Sequence, residues 1–228
     1  MEMNLSPPTS VEELMERADA IAGIRLGQLA RQLDIAMPSD LRREKGWVGQ
    51  LIERALGASA ASLAEPDFQL IGVELKTIPI DACGHPREST YVCTVPLETE
   101  AMGQRWEDCW VRRKLANVLW IPVEGDSSIS LAERRLGNPL LWSPSPAEEK
   151  LLRNDWEELM EMICLGQIES ITASLGEVLQ IRPKAASASV RRRAIGAEGT
   201  LVHTNPRGFY LRARFTAAIL QKSFAPGS

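Results

Sequence analysis

Apolar positions along this chain change period several times, and the changes mark out its elements. Val11, Leu14, Met15, Ala18, Ile21 and Ala22 repeat at helical spacing behind Ser10-Val11-Glu12-Glu13, which has the spacing of a capping box, so the pattern predicts a helix ended by Gly23. A shorter helix is expected over Leu26 to Leu33, and Pro38-Ser39-Asp40 breaks the chain. Gly46 to Gly57 reads as a helix closed by Gly57, with Val48, Leu51, Ile52 and Ala55 as its buried stripe and Glu53 at the edge of that stripe. The period then falls to two. Asp67-Phe68-Gln69-Leu70-Ile71-Gly72-Val73-Glu74-Leu75-Lys76-Thr77-Ile78-Pro79-Ile80 is strand-like, with Val73, Leu75 and Thr77 alternating with Glu74, Lys76 and Ile78.

Further strands are expected at Thr90 to Val95, Asn117 to Val123, Glu177 to Arg182 and Gly208 to Arg212. The second of these is apolar on both faces, which places it centrally in a sheet with Pro122 near its end. Ser145-Pro146-Ala147-Glu148 is a second capping box, with proline at the first helical position; Leu152, Trp156, Leu159 and Ile163 follow on one face, and Gly166 marks the end. A short helix from Phe215 to Ser223 closes the chain. Helices and strands are interspersed, so the fold class is α/β (α+β) with a mixed sheet flanked by helices.

Composition narrows the classes. The chain has 228 residues, 44% of them apolar and 25% charged, an ordinary globular balance. It holds no apolar run long enough to span a bilayer, and its first residues carry neither a basic start nor an apolar core, so we expect a cytoplasmic protein without a secretory signal. Cys83, Cys93, Cys109 and Cys164 are scattered without a Cys-x-x-Cys pair and read as reduced, buried small hydrophobes rather than metal ligands. The net charge of −4 hides an asymmetry: residues 182–228 carry nine Lys and Arg and the single acid Glu198, a net +8, against −12 for the remainder. A basic region on an acidic body is a phosphate-facing surface, a solvated face, or a partner for the acidic half.

Most familiar chemistries are missing. His85 and His203 are the two histidines, and neither lies in a His-Glu-x-x-His pattern; there is no P-loop, no nucleophile elbow and no dinucleotide fingerprint. Carboxylates and a lysine remain. In a strand, Glu74 and Lys76 share a face about 7 Å apart along the chain, and Asp67 lies shortly upstream. Two carboxylates and a lysine can hold a hard divalent cation and steer a water, which is the equipment for metal-assisted phosphodiester cleavage. The pattern by itself is permissive: Glu148-Glu149-Lys150 matches its second half at a helix start, and Glu74 and Lys76 also fit a solvated strand face with a cross-strand salt bridge.

Longer strings are more specific. Lys45-Gly46-Trp47-Val48-Gly49 with Glu53, Gly57-Ala58-Ser59-Ala60 through Asp67 to Gly72-Val73-Glu74-Leu75-Lys76-Thr77-Ile78-Pro79, Val118 to Gly125, and Pro206-Arg207-Gly208-Phe209-Tyr210-Leu211 resemble the MutH family of strand-nicking endonucleases in methyl-directed DNA mismatch repair. Pro139 to Pro144 and Leu179 to Ala186 fit as well, so the resemblance runs through nearly the whole chain; Ser187 to Gly199, with Arg191-Arg192-Arg193, and the extreme termini do not align with it.

The resemblance implies a restriction-endonuclease-like fold with two lobes around a DNA cleft, a catalytic lobe over roughly 1–125 and a recognition lobe over roughly 126–228. It implies an active site of Glu53, Asp67, Glu74 and Lys76. Asp67, Glu74 and the Leu75 main-chain carbonyl would hold one Mg2+, and Glu53 with Asp67 a second, with Mn2+ as a substitute. It implies a hemimethylated GATC target in double-stranded DNA, cut on the unmethylated strand, with Arg182 reading guanine, Tyr210 sensing adenine N6, and Lys45 and Lys184 as further DNA contacts. It also implies stimulation by ATP-bound MutL after MutS has found a mismatch, and the C-terminal helix is a candidate regulatory element. A single catalytic constellation predicts a monomer that nicks. A stand-alone GATC restriction endonuclease, a catalytically inactive DNA-binding protein and an interaction protein are the alternatives.

Overall fold

The computed structural model describes residues 5–39, 46–59, 65–98, 101–184 and 190–224. In chain order its elements are α1 (Val11–Ile21), α2 (Leu26–Gln32), α3 (Trp47–Leu56), β1 (Glu74–Ile80), β2 (Thr90–Thr94), α4 (Trp110–Leu115), β3 (Val118–Glu124), β4 (Leu140–Trp142), α5 (Pro146–Cys164), β5 (Leu179–Pro183), β6 (Arg192–Ile195), β7 (Leu201–Thr204), β8 (Arg207–Leu211) and α6 (Ala213–Phe224). They divide between two units, and the chain passes from one to the other four times. The first comprises the described residues within 1–88, 116–143 and 217–228; the second, those within 89–115 and 144–216.

In the first unit β3 lies between β1, to which it is parallel, and β4, to which it is antiparallel. Val118 to Val123 are buried throughout, as a strand covered on both faces requires. The mixed sheet and the central position of β3 match the expectation from sequence. Leu14, Leu26, Leu51, Ile52, Leu56, Phe68, Val73 and Leu119 form one apolar cluster that joins α1, α2 and α3 to the sheet. Burying a Leu or Ile side chain removes enough apolar surface to contribute roughly 1.5–3 kcal/mol, so this cluster is what fixes α3 against β1. Ser10 caps α1 by accepting the Glu13 N–H, but the Glu13 carboxylate reaches the Thr9 N–H and hydroxyl instead of closing the box on Ser10. Gly57 ends α3 at φ +80°, where an added Cβ would stand 2.7 Å from the Ser6 carbonyl oxygen. Only glycine meets both demands.

In the second unit β8 lies between β2 and β5, antiparallel to both, and β6 and β7 form a separate antiparallel ribbon. Helix α5 packs on β5 and α4 on β2. The Ser145–Glu148 capping box at the start of α5 is complete in both directions. One buried residue of α5 sets where β5 begins. Asp155, 6% exposed, accepts the N–H groups of Glu177, Val178 and Leu179 at 2.8, 2.7 and 2.8 Å. Those N–H groups are therefore committed to a carboxylate just where the ladder starts, and β5 opens at Leu179 rather than at Glu177 as the sequence pattern suggested.

Candidate metal centre and base-reading face

The strand-like stretch from Asp67 to Ile80 is not one strand. Phe68 and Val73 exchange backbone hydrogen bonds, Phe68 N–H to Val73 at 2.9 Å and Val73 N–H to Phe68 at 3.3 Å, around a single helical turn at Gln69–Ile71 and a left-handed Gly72 at φ +64°. The chain thus folds back on itself before β1, and the Asp67 carboxylate lands beside the strand. Its Oδ2 accepts the Leu75 N–H at 2.8 Å.

That bond lies on the outer edge of the sheet. Glu74 donates its N–H to Asn117 on the β3 side at 2.9 Å. Successive residues of a strand present their backbone groups to opposite sides, so both the N–H and the carbonyl of Leu75 face away from β3. Strand β1 is the outer strand of its sheet. The Leu75 carbonyl and the Asp67 carboxylate consequently lie along the same outer edge of β1.

Glu74 and Lys76 share a face, and the lysine Nζ is 2.5 Å from Glu74 Oε1. Glu74 is 2% exposed and Lys76 13%. These values exclude the solvated-face alternative. A carboxylate so nearly buried needs compensating positive charge, because desolvation strongly disfavours its charged form. The lysine supplies that charge here. Glu53 lies on α3, which packs against β1, and its side chain is part-buried. The donors offered are the carboxylates of Glu53, Asp67 and Glu74 and the carbonyl of Leu75. All are hard oxygens, the set that suits Mg2+ rather than a softer ion. The residues fit the group.

The second cluster lies on one face of the β2–β8–β5 sheet. Arg182 stands with its guanidinium 5.9 Å from the Tyr210 ring centroid, and Lys184 Nζ is 3.6 Å from the centroid of Tyr91. The two tyrosine rings meet edge to face at 5.4 Å. Gly208, paired with Arg182 across the ladder, makes room for both: a Cβ there would be 2.9 Å from Tyr91 Cε2 and 3.0 Å from Tyr210 Cε2. The structure therefore brings Arg182, Lys184 and Tyr210 together. Tyr91 joins them, a residue that the sequence marks only as part of a strand. The one available signal was that Tyr91 and Tyr210 are the chain's two tyrosines. Lys45 lies outside the described residues.

The family model described as "DNA mismatch repair enzyme MutH" matches residues 56–155, a span that contains Asp67, Glu74 and Lys76. The chain is 55% identical over 219 residues to the DNA mismatch repair protein MutH of Photorhabdus laumondii, with 96% of each chain covered. It is 56% identical over 220 residues to that of Escherichia coli O6:K15:H31, again covering 96% of each, and 55% identical over 218 residues to that of Shewanella baltica OS185, covering 96% of this chain and 97% of the relative. The chain belongs to the MutH family.

In this MutH-family chain the structure narrows the open readings of the basic region and corrects the expectation for one cysteine. The basic region does not offer all its charge outward. Arg212 donates to the carbonyls of Ala173, Leu175 and Gly176, Arg214 to that of Glu177, Arg207 pairs with Glu169 at 3.1 Å, and Arg193 with Glu98 at 3.2 Å. Those side chains hold loops in place. Arg192 and Arg193 also begin the β6–β7 ribbon, which the pattern of charges had concealed. Among the cysteines, Cys93 and Cys109 are buried and Cys164 is part-buried, but Cys83 is exposed and is not a core residue. Burial pushes the Cys109 thiol up to about 11, so that sulfur is inert at neutral pH. No described helix is long and apolar enough to cross a membrane.

Proposed function

We propose that this MutH-family chain is a divalent-metal-dependent endonuclease of DNA mismatch repair that nicks the unmethylated strand at hemimethylated GATC sites. The observation that carries the reading is the buried Glu74 carboxylate paired with Lys76 beside an Asp67 tied to the Leu75 N–H. Asp67, Glu74 and the Leu75 carbonyl would hold the first Mg2+, and Glu53 with Asp67 a second. Bound Mg2+, replaceable by Mn2+, supplies charge neutralisation at the phosphate and makes a coordinated water more acidic. Lys76 orients the attacking water through its ammonium and stabilises negative charge as it develops on the phosphate oxygens. Asp67, fixed by the main-chain hydrogen bond from Leu75, holds its carboxylate in a constant position, which is how pre-organisation lowers a barrier.

Arginine presents paired donors that match guanine O6 and N7, so Arg182 reads guanine, with Tyr210 beside it to sense adenine N6 and Lys184 held over Tyr91 as a further DNA contact. Lys45 is a further candidate contact by family resemblance. A methyl on N6 crowds the tyrosine or removes its hydrogen bond. One catalytic constellation per chain means one strand cut per encounter, in keeping with a monomer. Cytoplasmic location, stimulation by ATP-bound MutL and upstream recognition by MutS complete the reading.

The test is cleavage of supercoiled plasmid and short duplexes carrying unmethylated, hemimethylated or fully methylated GATC, with Mg2+, with and without the partner proteins. The reading expects nicks on unmethylated strands, little cleavage of fully methylated sites, and stimulation by MutL with ATP. Double-strand breaks as the main product at limiting enzyme would identify a restriction endonuclease instead, and GATC binding without cleavage an inactive binder.

A further inference from the structure

We propose that Asp81, Cys83 and His85 form a surface site for a borderline divalent cation of the Zn2+ class, independent of the hard-cation centre at the other end of β1. The three side chains occupy alternate positions of the turn Asp81-Ala82-Cys83-Gly84-His85 that follows β1. A carboxylate oxygen, the thiol sulfur and an imidazole nitrogen, one from each, all lie within 4.8 Å of one another. Zn2+ binds such atoms at about 2.0–2.3 Å. Donors held that close together need only small side-chain rotations to meet on one ion.

The backbone already holds this arrangement. The Asp81 N–H donates to the His85 carbonyl at 2.9 Å and the Gly84 N–H to the Asp81 carbonyl at 3.0 Å. Asp81 Oδ1 accepts the N–H groups of Cys83 and His85 at 2.8 and 2.9 Å. The base of the turn is clamped to the first unit's sheet: Arg87 N–H to the Pro79 carbonyl at 2.9 Å, Gly125 N–H to the Ile80 carbonyl at 2.8 Å, and the Arg87 guanidinium to the Gly125 carbonyl at 2.9 Å. Little ordering is left to be done when an ion arrives, so less of the binding free energy is lost. Asp81 Oδ1 is committed to the backbone, whereas Oδ2 stands 3.6 Å from His85 Nδ1. That gap is too long for a good hydrogen bond, and both atoms remain available as donors.

The donor set decides the ion. One sulfur, one nitrogen and one oxygen select a borderline ion such as Zn2+ and suit Mg2+ poorly, the reverse of the all-oxygen set around Glu74. Cys83 is the exposed cysteine, so its sulfur is reachable, while Cys93 and Cys109 are buried. Glu74 and Asp81 are seven residues apart along an extended strand, about 23 Å by strand rise, so the two ions would share no ligand. Three protein donors leave one tetrahedral position for water or for a side chain of another molecule. Binding requires the thiolate and therefore releases the Cys83 proton.

The experiment titrates the full chain with Zn2+ in saturating Mg2+, which keeps the nuclease centre occupied, and follows calorimetric heat, the rate of Cys83 alkylation by a maleimide, and the thermal midpoint. We expect one Zn2+ per chain, alkylation of Cys83 slowed at least tenfold, and a raised midpoint. Cys83→Ser and His85→Asn, both surface changes, keep the metal-free midpoint and lose at least about tenfold in Zn2+ affinity, in line with the cost of disturbing a zinc site. Undiminished alkylation in the presence of Zn2+, or variants that bind Zn2+ as the unmodified chain does, would overturn the proposal.

Discussion

Replacing Lys76 by methionine separates what the lysine does for the fold from what it does for chemistry. Methionine keeps most of the stem volume and removes the ammonium. In the native chain that ammonium lies 2.5 Å from a carboxylate that is 2% exposed. Removing one partner of a buried ion pair typically costs about 3–5 kcal/mol, mostly because the other charge is left without compensation. For a chain of this size each kcal/mol moves the thermal midpoint by roughly 2–4 °C, so the loss in EDTA should be on the order of 6–20 °C. The double variant Glu74→Gln, Lys76→Met should recover most of it, since it removes both charges, and the cycle should report a coupling of about 2 kcal/mol or more. Mg2+ should raise the midpoint of Lys76→Met more than that of the native chain, because a divalent ion on Asp67 and Glu74 replaces the missing charge. Urea and thermal unfolding with and without Mg2+ measure each term. A Lys76→Met chain within about 0.5 kcal/mol of native in EDTA, with an ordinary response to Mg2+, would refute the argument that Glu74 is a buried charge dependent on Lys76.

Other substitutions address single contacts. Asp67→Asn keeps an acceptor for the Leu75 N–H but loses the charge that holds an ion; nicking in Mg2+ should fall by at least about a hundredfold, with partial recovery in Mn2+, and full activity in Mg2+ would remove Asp67 from the ligand set. Tyr210→Phe should narrow the preference for hemimethylated over fully methylated sites by a factor of about 5 to 150, the equivalent of one lost base contact of 1–3 kcal/mol; competition cleavage measures the ratio. Gly208→Ala puts a Cβ 2.9 Å from Tyr91 and 3.0 Å from Tyr210, and such overpacking costs typically about 1–3 kcal/mol, so GATC affinity should drop while binding of Mg2+ to the first unit is unchanged. Asp155→Ala strands three backbone N–H groups that now meet a carboxylate; urea unfolding should show a loss of about 3–5 kcal/mol.

Elements defined by their own residues were readable without coordinates. The Ser145–Glu148 capping box, the glycine at the end of α3 and the unbroken apolar run of β3 each carry their instruction within a few positions. The shared face of Glu74 and Lys76, the candidate catalytic pair, was readable for the same reason, since strand alternation alone puts them together. What could not be read depends on partners distant in sequence. Nothing near Asp155 announces that it will meet Glu177 to Leu179 and shift the start of β5. Tyr91 joins Arg182, Lys184 and Tyr210 only because β2 pairs with β8 and Gly208 opens space for its ring. The β6–β7 ribbon was hidden by its own arginines, whose charge resembles that of a solvated tail. The burial of Glu74 was equally illegible: alternation says which way a side chain points, not what covers it.

The order in which the two units share the polypeptide restricts how their tasks can be pulled apart. Residues 89–115 and 144–216 are inserted between pieces of the unit that carries Glu53, Asp67, Glu74 and Lys76. No continuous gene fragment encodes either unit alone. Exchanging one unit for a foreign one by a single fusion is therefore closed off, and the proposed reading of target sequence has to be altered by local exchange on the β2–β8–β5 face with the rest of the scaffold kept whole.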